Sequence, residues 1–99
     1  MKKIQKIADQ ICEELEGATE YIECALDFKV QGNSNWYSKY KSMAEQELSH
    51  AMILHDRAVE EITLLKKVYT PPVEMEKKWE EIHKTYVEKA AWIKQMMAM

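Results

Sequence analysis

Glu47 and His50 are the two residues of this sequence best placed to do chemistry together. On a helix, residues three apart project from one face, so Glu47-x-x-His50 aims a carboxylate and an imidazole at one point. That is a ligand pair for a transition-metal ion. A second carboxylate interrupts an apolar series upstream. Ile4, Ile7, Ile11, Glu14, Ala18, Tyr21, Ala25 and Phe28 recur at alternating spacings of three and four, and Glu14 alone among them is charged. Ala8, Leu15 and Ile22 widen that face and place Glu14 near its middle. The same spacing further on gives Trp36, Tyr40, Met43, Glu47, His50, Leu54 and Ala58, then Ile62 and Leu65. Glu13, Glu16, Glu45, Glu60 and Lys66 fall where solvent is expected.

An ionised carboxylate buried without a partner costs several kcal/mol, and a whole small domain is stable by only about 5–15 kcal/mol. Three ionisable groups in one apolar seam must therefore pair with each other or bind a cation. Carboxylate and imidazole together suit ferrous and manganous ions, with zinc as a competitor. Two irons held side by side deliver two electrons to dioxygen, which one cannot.

The elements that position these groups are few. Ninety-nine residues with two Gly and two Pro leave little room for breaks. Glu, Lys, Ala, Met, Leu and Gln dominate, a helix-forming composition that excludes an all-β fold. Helices are expected over about 3–30, 35–69 and 72–97, within one domain spanning 1–99. Gly32 ends the first, Ser34 is the candidate cap of the second, and Pro71-Pro72 separates the last two. Pro72 is suited to the first position of the third helix. The short connections imply antiparallel neighbours. The fold expected is all-α: a long hairpin plus a shorter third helix. So long a hairpin exposes an apolar seam along its length, and a second copy of the chain is the expected cover.

Counted from the Gly32-Asn33 turn, Glu14 lies about nineteen residues away and Glu47 about fourteen, a mismatch of roughly 7 Å along the helix axis. Glu20, at thirteen, matches the level better but lies on the other side of its helix and ranks second. One chain supplies one bridging carboxylate and one Glu-x-x-His. Two hairpins about a two-fold axis would supply four carboxylates and two imidazoles, the donor set of ferritin-like di-iron bundles.

Glu13-Glu14-Leu15-Glu16-Gly17 with Tyr21, followed by Glu45-Gln46-Glu47-Leu48-Ser49-His50-Ala51-Met52, resembles the encapsulated ferritins. Lys78-Trp79-Glu80-Glu81-Ile82-His83-Lys84-Thr85-Tyr86 is similar to their shorter third helix, and Ala44-Glu45-Gln46-Glu47 with His50-Ala51 also resembles a rubrerythrin helix. The resemblance implies a ferroxidase whose metal ligands are Glu14, Glu47 and His50 from each of two chains, with Tyr21 an aromatic beside the metals. It makes Glu13 and Glu16 the acidic pair that attracts iron at the entrance. It further implies two irons per dimer, dioxygen as oxidant, a ring of dimers and an encapsulin shell as partner. Glu20 departs from the pattern, standing where the family carries tryptophan. No encapsulin-addressing tail is expected after the third helix, which ends Met96-Met97-Ala98-Met99, and no Cys-x-x-Cys supplies rubrerythrin's cysteine-bound iron.

Other readings stay open. Glu14, Glu47 and His50 could instead fix helix register and assembly, making the chain a metal-free scaffold or interaction protein. A di-metal site could also serve peroxide reduction or oxygen sensing. Glu80-x-x-His83 reads as structural or solvated, His55 has no assigned role, and the seven methionines read as core filler. Cys12 and Cys24, twelve apart on one helix, are about 18 Å apart and cannot bridge. With 14 basic and 17 acidic residues the net charge is −3. No basic patch for nucleic acid exists, and no apolar run suits a membrane. A soluble, cytoplasmic location is expected. Ser38, Ser42 and Ser49 lack the base and oxyanion hole of a nucleophile.

Overall fold

The structure, a computed structural model, describes residues 2–68 and 70–99. Three helices and no strand form the described residues: α1 over Lys2–Val30, α2 over Ser34–Lys66 and α3 over Val73–Met97. None is long and apolar enough to cross a membrane.

The turn between α1 and α2 is set by Gly32, whose φ of 77° suits a residue without Cβ. Its N–H reaches Lys29 O at 3.0 Å, and the N–H of Asn33 reaches Phe28 O at 2.9 Å. These two bonds are the Schellman ending of a helix. Asn33, not Ser34, caps α2: its side-chain oxygen accepts from the Trp36 N–H at 3.2 Å. Ser34 is already helical.

At its far end α2 stops at Lys66, short of the expected 69; Tyr69 itself lies outside the described residues. Lys67 and Val68 tighten into a turn by donating to Leu64 O and Leu65 O. Continued helix would drive the ring of Pro71 into the carbonyl of Lys67. Pro72 caps α3 from outside and does not occupy its first position, its carbonyl accepting from the N–H groups of Met75 and Glu76. Glu74 and Glu76 in the first turn and Lys94 in the last oppose the helix dipole favourably.

α1 and α2 lie antiparallel in a rod 55 Å long. Lys3 meets Glu61, Gly17 meets Glu47 and Phe28 meets Trp36; the residue numbers of each pair add to 64. One register therefore runs the length of the hairpin. On α1 the buried line is Ile4, Ala8, Ile11, Leu15, Ala18, Ile22 and Ala25, with Ile7 beside it. On α2 it is Ala44, Leu48, Ala51, Ala58 and Ile62. This corrects the expected seam of α2. The alanines, seven residues apart, let the two backbones approach, and the line through Trp36, Tyr40, Met43, Glu47 and His50 becomes a flank. Glu14 likewise sits at the edge of the buried face of α1 and not at its middle.

α3 folds back along the hairpin and packs mainly on α1. Ala90 and Ile93 enter the core shared by Ile7, Ile11, Leu15 and Leu48, with Trp79 and Tyr86 around them. Ile93 is fully buried, which stabilises the fold by about 1.5–3 kcal/mol. α3 lies against Gln5, Ala8, Thr19 and Glu23 of α1. Gln10, Glu14, Gly17, Tyr21 and Phe28 occupy the other side of that helix, so the flank they share with α2 stays open.

Candidate metal centre

On the open flank, Glu14, Glu47 and His50 each offer a ligand atom, and these atoms all lie within 4.8 Å of one another. No other such trio exists among the described residues. The level mismatch expected for Glu14 and Glu47 disappears for a geometric reason. In the observed register Glu14 is level with His50, and Glu47 with Gly17, so the two helices interleave their ligands and long side chains close the gap. His50 Nδ1 stands 3.5 Å from Glu14 Oε2.

Glu14 Oε2 is buried and has no hydrogen-bond partner. An orphaned carboxylate oxygen costs free energy unless a proton or a cation lies against it. Two ionised carboxylates have no donor between them; a proton held on Glu47 supplies one. Accordingly the Glu47 carboxyl is pushed above its ordinary value of 4.5, first by hydrogen bonding with Glu14, then by burial and by the charge of Glu14, with His50 opposing. A proton on Glu47 and a cation at this point are therefore alternatives. Metal ligands must be deprotonated, so cation binding expels that proton.

Gly17 makes room for this arrangement. It lies in the middle of α1, where glycine costs about 1 kcal/mol relative to alanine. A Cβ there would come 3.3 Å from Glu47 Oε2. Gly17→Ala should therefore raise the urea midpoint, by up to about 1 kcal/mol in stability, while displacing the Glu47 carboxylate and weakening metal binding. An unchanged metal affinity in a calorimetric titration would remove this role from Gly17.

The other predicted site residues are placed as follows. Tyr21 is half-buried on the same flank, one helical turn beyond Gly17, with its ring 6.2 Å from that of Tyr40. It does not enter the ligand trio. Glu13 is exposed and lines an open depression of about 380 Å³ with Gln10, Glu14, His50, Ile53 and Leu54. Glu16 is exposed and turned towards Cys12, whose thiol pKa is raised by burial first, then by Asp9 and Glu16. Glu13 and Glu16 therefore do not converge on one point within this chain. Glu20 is exposed, away from the trio.

Sequence reasoning passed over one contact, between His55 and His83, whose ring nitrogens meet at 2.7 Å. The signal was present: His55 falls midway between Leu48 and Ile62 at seven-residue spacing, on the buried line of α2. Comparison with protein-family models, with curated proteins and with solved structures gives no match to this chain.

Proposed function

We propose that two copies of this chain pair through their open flanks and together oxidise ferrous iron with dioxygen. The observation that carries the reading is the convergence of Glu14, Glu47 and His50 around a buried carboxylate oxygen with no partner. The donor set is of the right chemistry, hard oxygens plus imidazole, for ferrous ion, with manganese or zinc as competitors. The flank is also of the right kind to be covered. Trp36 is 46 % exposed and Met43 37 %, and Phe28, Trp36 and Tyr40 form an aromatic cluster between the trio and the turn.

Pairing about a two-fold axis would make a ferritin-like four-helix bundle with four carboxylates and two imidazoles at its centre. The four negative charges offset those of two ferrous ions, the substrate, and favour their loss of an electron each. Dioxygen accepts the two electrons and two protons to give hydrogen peroxide. Glu47 and Glu14 provide adjacent carboxylates, while His50 presents a nitrogen at the edge. Glu13, in the adjoining depression, is placed to attract ferrous ions from solvent. Storage of the ferric product inside an encapsulin shell belongs to the same proposal through the resemblance alone.

Anaerobic ferrous titration of metal-free protein tests this reading. A sharp end point at one iron per chain is expected, with dimerisation in the same concentration range and a ferric absorption band on admitting air. No saturable binding would leave the trio as a structural cluster, the 3.5 Å approach of His50 to Glu14 then serving assembly of a scaffold.

A further inference from the structure

A second constellation joins α2 to α3 on the side away from the trio. His55 Nε2 and His83 Nδ1 are 2.7 Å apart, and their ring centroids are 4.9 Å apart. The two distances differ by about two ring radii, so the imidazoles meet edge to edge, each aiming a nitrogen at the other. The His55 ring is held flat on Tyr86, with centroids 4.1 Å apart and planes within 8°. Trp79 lies 5.6 Å from it on the other helix. Burial first, then the charge of His83, hold the His55 pKa below its ordinary value, with Asp56 opposing. Both causes favour the neutral imidazole, the form whose lone pair a metal needs.

We propose that His55 and His83 form a separate mononuclear site for a nitrogen-preferring divalent transition ion, with zinc as the working case. With both rings neutral, one N–H lies between the facing nitrogens. When zinc takes that place, the proton moves to the other nitrogen of its own ring, so both lone pairs face the ion with no net proton loss. Zinc–nitrogen bonds of about 2.0–2.1 Å in tetrahedral geometry set the two nitrogens roughly 3.3 Å apart. The pair must open from its 2.7 Å contact, and each ring must turn by about 35° for both lone pairs to meet a tetrahedral ion. No third His, Cys, Asp or Glu among the described residues joins them in the way that completes the Glu14 trio, so water fills the remaining positions. Glu80, one turn before His83, lines the adjoining groove with Trp79, Glu76 and Lys66.

The site has a structural consequence. α3 packs chiefly on α1, and near the loop Lys66 and Glu76 link α2 to α3 at 3.4 Å. Zinc at His55 and His83 would tie the middle of α3 to α2 as well.

The test is a zinc titration at pH 7.5 of the full chain, monitored by calorimetry and by thermal melting, with three variants: His83→Gln, His55→Gln and the double variant Glu14→Gln/His50→Gln. Circular dichroism establishes that each variant folds. Both single variants should lose one zinc per chain, or bind it at least tenfold more weakly, and lose the zinc-dependent rise in melting temperature at this site. The double variant should keep that zinc, which separates this proposal from the fate of the first site. Full zinc stoichiometry and affinity in His83→Gln would overturn it, as would loss of all zinc binding in the double variant.

Discussion

Glu47→Gln should give a chain that folds, resists urea better than the wild type when metal-free, and no longer oxidises ferrous iron. The two effects have one origin. The folded state raises the Glu47 pKa above 4.5, chiefly through hydrogen bonding with Glu14. A carboxyl raised in this way binds its proton more tightly folded than unfolded. Its contribution to stability is complete below the unfolded value and is lost as pH climbs through the folded one, where ionisation sets Glu47 against Glu14. Glutamine removes that loss while keeping a donor for Glu14. Urea melts from pH 4 to 8 should show wild-type stability declining on the upper side of the carboxylate range, and the variant should lack that decline. Iron oxidation should fall by more than about 100-fold, because even partners of metal ligands are worth 10–100-fold. A variant that is less stable than wild type at pH 7, or one that still oxidises iron at a saturable site, would contradict this account of Glu47.

Met43→Glu is expected to be as damaging to oxidation while leaving every ligand in place. Met43 lies on the open flank four residues before Glu47, 37 % exposed in the single chain. A charge there is solvated in the monomer and costs little. In a pair of hairpins it would be buried twice, near the axis and beside an already acidic centre. A stable interface of standard size covers about 800 Å² per partner, about an eighth of the 6631 Å² that this chain exposes. Sedimentation should show monomers of unchanged ellipticity, and oxidation should drop to the rate of iron in buffer. Monomers that oxidise iron at the wild-type rate would show that one trio suffices and that the shared centre is wrong.

The helical plan was legible because its punctuation is strong. Gly32 and Pro71-Pro72 permit few alternatives, and the ends moved by little except at α2, which Pro71 forced to stop early: Asn33 took the cap from Ser34, and Pro72 became the cap of α3. The Glu14, Glu47 and His50 constellation was legible as charge in an apolar series. The side of α2 that packs was not. Trp36, Tyr40 and Met43 are large and look like core, whereas Ala44, Ala51 and Ala58 are small and give little hydropathy signal. Close backbone approach selects the alanines, and no residue-by-residue count measures it. The His55–His83 contact depends on which flank α3 covers, a tertiary choice made by Ala90, Ile93 and Tyr86 together.

The single register of the hairpin makes the turn at Gly32 an origin from which both arms are measured. Glu14 and His50 stand at equal counts from it, as do Gly17 and Glu47. A residue inserted anywhere between Gly17 and Glu47 in helical sequence would rotate the rest of its helix by about 100° and advance it along one arm only. The carboxylates would then miss each other, and the buried line beyond the insertion would turn out of the core. Chain length between the ligands thus governs the site and the core together. Beyond Leu54 and before Ile11 the same insertion leaves the measured distance untouched. The protein behaves as a folded ruler whose two marks must coincide.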